Sequence, residues 1–205
     1  MPHSSPVPFK KLTISRRLRF GLLNCFSLRN KAIDILELAV DEDLDAFALT
    51  ETWMKKDDGA LCALFKEAGF NIVSHPRVGR GGGVALVTRR RTKTSKYAHK
   101  FKQFECLEVL LKEPTNTRIV VVYRPGTSGR FAEFLDELED LFLKLAERKE
   151  RCLICGDFNI HVEDGLDPQA RKFNELLNQF GWKNKVTGPT HIKGGTLDLI
   201  LTQDR

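Results

Sequence analysis

Short apolar runs recur along the chain and alternate with stretches in which apolar residues return every three or four positions. Short apolar runs bounded by polar or turn-forming residues predict buried strands, while the three-to-four spacing predicts helices with one buried stripe. Strands are expected over 18–23, 46–49, 70–73, 84–87, 107–111, 119–122, 153–155 and 197–201. The clearest helix is expected from about 129 to 148, where Phe131, Phe134, Leu135, Leu138, Leu141, Phe142 and Leu145 form one stripe. Another starts at Asp167-Pro168, a capping acid followed by proline at the first helical position. It carries Phe173, Leu176, Leu177 and Phe180 and stops at Gly181. A third, over about 30–40, puts Ile33, Leu36 and Val40 on one side. The pattern predicts a sheet-rich α/β domain whose helices cover sheets.

At 205 residues and 41% hydrophobic content, one compact domain with a substantial core is expected. Residues 1–17, with prolines, serines and Lys10, Lys11, Arg16 and Arg17, read as a flexible basic lead-in, and the folded domain is expected over 18–205. The 33 Lys and Arg residues against 27 Asp and Glu give a net charge of +6, which tilts the balance toward a polyanionic partner. Five cysteines without framework spacing point to reduced thiols. Cys152 and Cys155 sit inside an expected strand, where a three-residue separation sends them to opposite faces as core residues. No apolar run approaches a membrane span, and the first ten residues lack the apolar centre of a secretory signal. A soluble nuclear or cytoplasmic protein, not secreted and with no membrane partner, is the expectation.

Polar residues stand where several expected strands run out. Gly156-Asp157-Phe158-Asn159 follows the apolar run 152–155, and Asp157 and Asn159 share one face if extended geometry persists. A simple turn is the alternative, since Gly, Asp and Asn are turn formers. Asn24 closes the first run, Glu51 follows 46–50, and Tyr123 closes 119–123 before Arg124-Pro125-Gly126 breaks it. Asp198 lies inside an apolar run, where an unpaired carboxylate is costly and needs a partner. Oxygen donors without a Cys or His cluster suit a hard cation such as Mg2+ and hence phosphate-ester cleavage.

The order of these motifs resembles the endonuclease/exonuclease/phosphatase superfamily, most closely the apurinic-type endonuclease domain of LINE-like, non-LTR retrotransposons. The resemblance runs through Leu22-Leu23-Asn24, Thr50-Glu51-Thr52-Trp53, Gly81 to Leu86, Val121-Val122-Tyr123-Arg124-Pro125, Gly156 to Asn159, and Pro189-Thr190 leading to Leu197-Asp198-Leu199. It implies a four-layer sandwich of two packed β-sheets flanked by helices, with the site at one edge. It also implies Mg2+-dependent, or Mn2+-dependent, hydrolysis of DNA. Glu51 would be the main metal carboxylate with Asn24 beside it, Asp157 would activate water, Asn159 and Tyr123 would position phosphate, and Asp198 would complete the catalytic set. Thr190 is a candidate nucleic-acid contact.

Two departures qualify that carry-over. Phe26 stands where related repair enzymes often have an Asp, and the family's terminal Ser-Asp-His is not found after Thr202. The expectation is therefore a domain lacking its last strand, with impaired catalysis and with Asp198 deprived of its histidine; His161 and His191 are weak substitutes. A phosphatase acting on phosphoinositides or small phosphate esters, and a catalytically dead DNA- or protein-binding remnant, are the alternatives. A monomer, possible fusion to a reverse transcriptase, and phosphate contacts from the basic segment holding Arg89, Arg90 and Arg91 complete the expectations. Arg80-Gly81-Gly82-Gly83 lacks a P-loop ending and reads as a permissive turn.

Overall fold

The computed structural model describes residues 18–77, 79, 81–112, 116–126, 130–191 and 194–204. The expected lead-in over 1–17, the start of the long helix at Gly129, and Arg80 lie outside them. The strands are β1 (Phe20–Asn24), β2 (Ala46–Thr50), β3 (Phe70–His75), β4 (Val84–Arg89), β5 (Thr94–Tyr97), β6 (Glu105–Leu111), β7 (Thr117–Tyr123), β8 (Arg151–Asp157), β9 (Lys183–Asn184) and β10 (Asp198–Thr202). The helices are α1 (Ala32–Asp41), α2 (Gly59–Glu67), α3 (Phe131–Ala146) and α4 (Pro168–Gln179). Two mixed sheets form, one in the order β1-β2-β4-β3 and one in the order β5-β6-β7-β8-β10-β9.

Alternation of side chains along the strands generates three separate cores. Ala46, Ala48, Val84 and Leu86 of the smaller sheet meet Leu107, Val109, Ile119 and Val121 of the larger one. The opposite faces of these strands pack outward. Phe47, Leu49 and Val87 lie under α1 and α2, and Val120, Val122 and Ile154 lie under α3 and α4. The result is the α/β sandwich of two helix-flanked sheets that the resemblance implied. Cys152 and Cys155 are buried thiols on opposite faces of β8, in the outer and inter-sheet cores respectively.

The helix at Asp167 forms as its cap dictates, with the Gln169 N–H donating to Asp167 Oδ1 at 2.8 Å. The buried face of α1 differs from expectation: Ala32, Ile35, Leu36 and Ala39 are inside, whereas Ile33 and Val40 are 60% and 50% exposed. Small alanines allow close approach to the sheet, so a stripe counted only from large residues falls one position off. Helix α2 and strands β5 and β9 escaped the apolar pattern because few of their residues are buried.

Candidate active site

The site is built where β1 and β2 of one sheet and β8 and β10 of the other reach the same edge. Strands β1 and β2 are parallel, with Asn24 beside Thr50, so Asn24 and the following Glu51 emerge together. In the other sheet β7 and β8 are parallel, with Tyr123 beside Asp157, while β10 runs antiparallel and sets Asp198 directly opposite Asp157. Residues separated by up to 174 positions thus meet because four strand ends coincide.

Asn24 bridges the two halves. Its Nδ2 donates to Glu51 Oε1 at 3.2 Å and to Asp157 Oδ2 at 2.9 Å, while its Oδ1 accepts from the Phe26 N–H at 3.2 Å. Tyr123 sits between the sheets and its hydroxyl donates to Glu51. Burial, then the charges of Glu51 and Asp157, push the Tyr123 phenol above its ordinary range, keeping it a neutral donor.

Asp157 and Asn159 do come together, but not through continued extension. The strand ends at Asp157, Asn159 takes φ of +50°, and its own N–H donates to Asp157 Oδ1 at 2.9 Å. This turn fixes the carboxylate through the backbone. The Asn159 Nδ2 donates to the Arg124 carbonyl at 2.7 Å, and Arg124 in turn donates to the carbonyls of Phe158 and Asn159 at 3.3 and 3.1 Å. Arg124 is 4% exposed and lies against the rings of Phe131 and Phe134, so it locks the turn from beneath. In the sequence Arg124 stands out only as part of a strand-breaking tripeptide.

Two carboxyls facing each other on neighbouring strands repel. Burial first, then the charge of Asp198, push the Asp157 carboxyl up to about 7; hydrogen bonds from the Asn159 N–H and the Asn24 amide oppose this, and Glu51 adds a smaller push. Burial likewise raises Asp198, opposed by the Thr190 hydroxyl and by the charge of His191. Thr190 is thus a neighbour of Asp198, and the charge of His191 is felt at its carboxyl. Thr190 Oγ1 also accepts the N–H groups of Leu197 and Asp198, both at 3.0 Å, and so anchors the start of β10. Asp198 Oδ1 remains buried without a hydrogen-bond partner. Asn24, Thr190 and Asp198 line one hollow with Leu22, Leu23 and Val186.

The other named residues lie elsewhere. His161 pairs with Glu163 at 3.2 Å. Arg89 ends β4, whose other end, Val84, pairs with Thr50 next to Glu51. At about 3.4 Å per residue, this sets Arg89 roughly 17 Å along the sheet from the site. Arg89 and Arg91 form ion pairs with Asp43 and Asp45 at 3.2 and 3.8 Å, and the three arginines are not brought to the cluster. The glycine run expected as a turn holds the loop after Glu51, since the Gly83 and Gly82 carbonyls accept from the N–H groups of Thr52 and Trp53 at 3.1 and 2.9 Å.

Among the described residues no group of three or more His, Cys, Asp or Glu side chains is gathered closely enough to hold a metal unaided. Mg2+ keeps several waters and needs only one or two carboxylates. Glu51 and the unpartnered oxygen of Asp198 supply hard donors, and Asn24 adds a third once its amide turns over. A divalent cation there would offset the repulsion among the three acids, so the residues fit such an ion.

The fold recurs in solved structures. The 3' phosphatase NExo from Neisseria, bound to product DNA hairpin, superposes with a TM-score of 0.69 at 18% identity, covering 91% of this chain and 87% of that one. An AP endonuclease from Archaeoglobus fulgidus gives a TM-score of 0.69 at 17% identity, with the same coverage of 91% and 87%. The endonuclease domain of TRAS1, a telomere-specific non-LTR retrotransposon, gives 0.66 at 12% identity, covering 89% and 83%. A sequence comparison with curated proteins found no match. The sequence model of the Endonuclease/Exonuclease/phosphatase family matches residues 21–204, and with acids and amides converging where four of its strands end, the chain belongs to that family.

Proposed function

We propose that this domain hydrolyses phosphodiesters in DNA as a divalent-cation-dependent nicking endonuclease of retroelement origin. The observation that carries the reading is the convergence of Glu51 from one sheet with Asp157 and Asp198 from the other, joined by the Asn24 bridge. A buried carboxyl poised near neutrality and fixed by a backbone N–H is suited to take a proton from water. Glu51, with Asn24 and Asp198, would hold Mg2+ or Mn2+, which supplies Lewis-acid stabilisation of the charge that develops on the phosphate and the leaving oxygen. The second N–H of the Asn159 amide, and the Tyr123 hydroxyl once released from Glu51, would be donors able to orient a phosphate beside Asp157. Nucleic acid as substrate is supported by the net positive charge, and by the DNA bound to NExo and the retrotransposon source of TRAS1 among structures of the same fold.

The test is supercoiled-plasmid nicking run beside inositol-phosphate hydrolysis. Nicking in Mg2+ that stops in EDTA, and falls about 10³-fold in Asp157→Asn, is the expected outcome. Phosphate release from inositol phosphates without nicking would replace the endonuclease with a small-ester phosphatase. Silence on both substrates, with DNA still bound, would mark a binding remnant.

A further inference from the structure

Two residues beyond Asn24 and two beyond Glu51, which is itself left-handed at φ +51°, an aromatic residue takes the left-handed conformation: φ is +41° at Phe26 and +53° at Trp53. Ser27 follows at +79°. Bulky residues avoid this region, and such a conformation persists only where surrounding bonds over-determine it. Here they do. The N–H groups of Cys25, Ser27 and Leu28 donate to the carbonyls of Thr50, Glu51 and Thr52 at 3.0, 2.8 and 3.0 Å, and Lys31 Nζ donates to the Cys25 and Phe26 carbonyls at 2.7 and 3.2 Å.

The strain does not serve burial. Phe26 is 62% exposed, one of the most exposed large apolar side chains among the described residues. Its ring leans on Trp53 with centroids 4.8 Å apart, and the Lys31 ammonium lies 5.8 Å from the ring centre. A rigid aromatic face, backed by a second ring and flanked by a cation, thus stands immediately beside the candidate phosphate site.

We propose that Phe26, braced by Trp53, is a stacking platform for a nucleobase of the strand whose phosphate occupies the Glu51–Asp157 site. The inference rests on the phosphodiesterase reading and narrows its substrate to a strand with a base free to leave its neighbours, single-stranded or locally opened. Every base offers a π-face, so the contact is tolerant of sequence, and Lys31 is placed to meet an adjacent phosphate. An inositol phosphate offers no such face.

The test measures binding by fluorescence anisotropy with Ca2+ replacing Mg2+. It uses a short single-stranded oligonucleotide and a strand of equal length and charge built from abasic tetrahydrofuran residues. Wild-type protein is expected to prefer the base-bearing strand. Phe26→Ala should lose about tenfold of that affinity without changing the affinity for the abasic strand, and Phe26→Trp should restore it. Equal binding of the two strands by wild type, an equal loss for both in Phe26→Ala, or failure of Phe26→Trp to restore binding would overturn the inference. Because binding is read without turnover, a protein that stacks bases but never nicks overturns only the endonuclease reading. A protein that nicks without base preference overturns only the platform.

Discussion

At Gly156 the backbone passes so close to β7 that a Cβ would lie 1.8 Å from the Val122 carbonyl oxygen, and φ is +143°, a value side-chain-bearing residues rarely adopt. The residue next to the candidate base is thus set by space, not by turn propensity. Gly156→Ala should cost about 3 kcal/mol in urea unfolding, whereas Gly165→Ala, with nothing within 4 Å of its Cβ, should change stability by under about 1 kcal/mol. Equal effects would remove the argument. Asn24 works differently, because its amide keeps Glu51 and Asp157 from facing each other unshielded. Asn24→Ala should lower nicking roughly 100-fold while costing only about 1 kcal/mol in stability, and a purely structural loss would reverse those proportions. These residues were legible as polar groups at strand ends. What one sequence could not give was their hydrogen bonding: the Asn159 turn and the Arg124 brace depend on backbone angles and on neighbours far away in the chain.

Among elements, the β6–β7 pair carries a buried charge network away from the site. Glu108 and Arg118 are 1% and 2% exposed and joined to each other, His99 bonds Glu108, and Glu150 accepts from Arg118 at 3.0 Å. Burial alone would raise the Glu108 carboxyl, yet the bond from His99 and the charge of Arg118 hold it below its usual 4.5. A carboxyl depressed in the folded state adds stability that is complete above the unfolded value and is lost as pH falls through the folded one. Glu108→Gln should therefore destabilise by about 3 kcal/mol at pH 7, and its melting difference from wild type should shrink below about pH 4.5. A difference constant from pH 7 to 3 would assign the loss to packing. The sequence showed β6 as an apolar run from Leu107 to Leu111 with an acid inside it, but its partner Arg118 emerges only from strand register. The same limit explains α1, whose buried alanines were invisible to a count of large residues.

Over the whole molecule, the three cores have different duties. Leu107 lies between the sheets and Leu141 between the larger sheet and its helices, both 0% exposed. Replacing either with alanine should cost about 2–5 kcal/mol. Only Leu107→Ala should also slow nicking well below its melting temperature, because only that core holds the two halves of the site in register. Matching rates for the two variants at 25 °C would separate packing from catalysis. The fold was readable as runs and motifs because strands and helices are local patterns. The docking of one sheet on the other was supplied by resemblance to a family, since no local pattern records it.

The Asn24–Asp157 bridge spans 133 residues of chain and has a consequence in time. A ribosome adding about 5–20 residues per second delivers Asn24 and Glu51 well before Asp157, and Asp198 last of all. For roughly 5–21 s after Glu51 is added, the emerging polypeptide carries Asn24 and Glu51 alone, with no group to draw a proton from water. On the proposed reading, cutting power would be acquired at a late moment of synthesis, and a copy abandoned before β8 is made would be harmless to the nucleic acid around it.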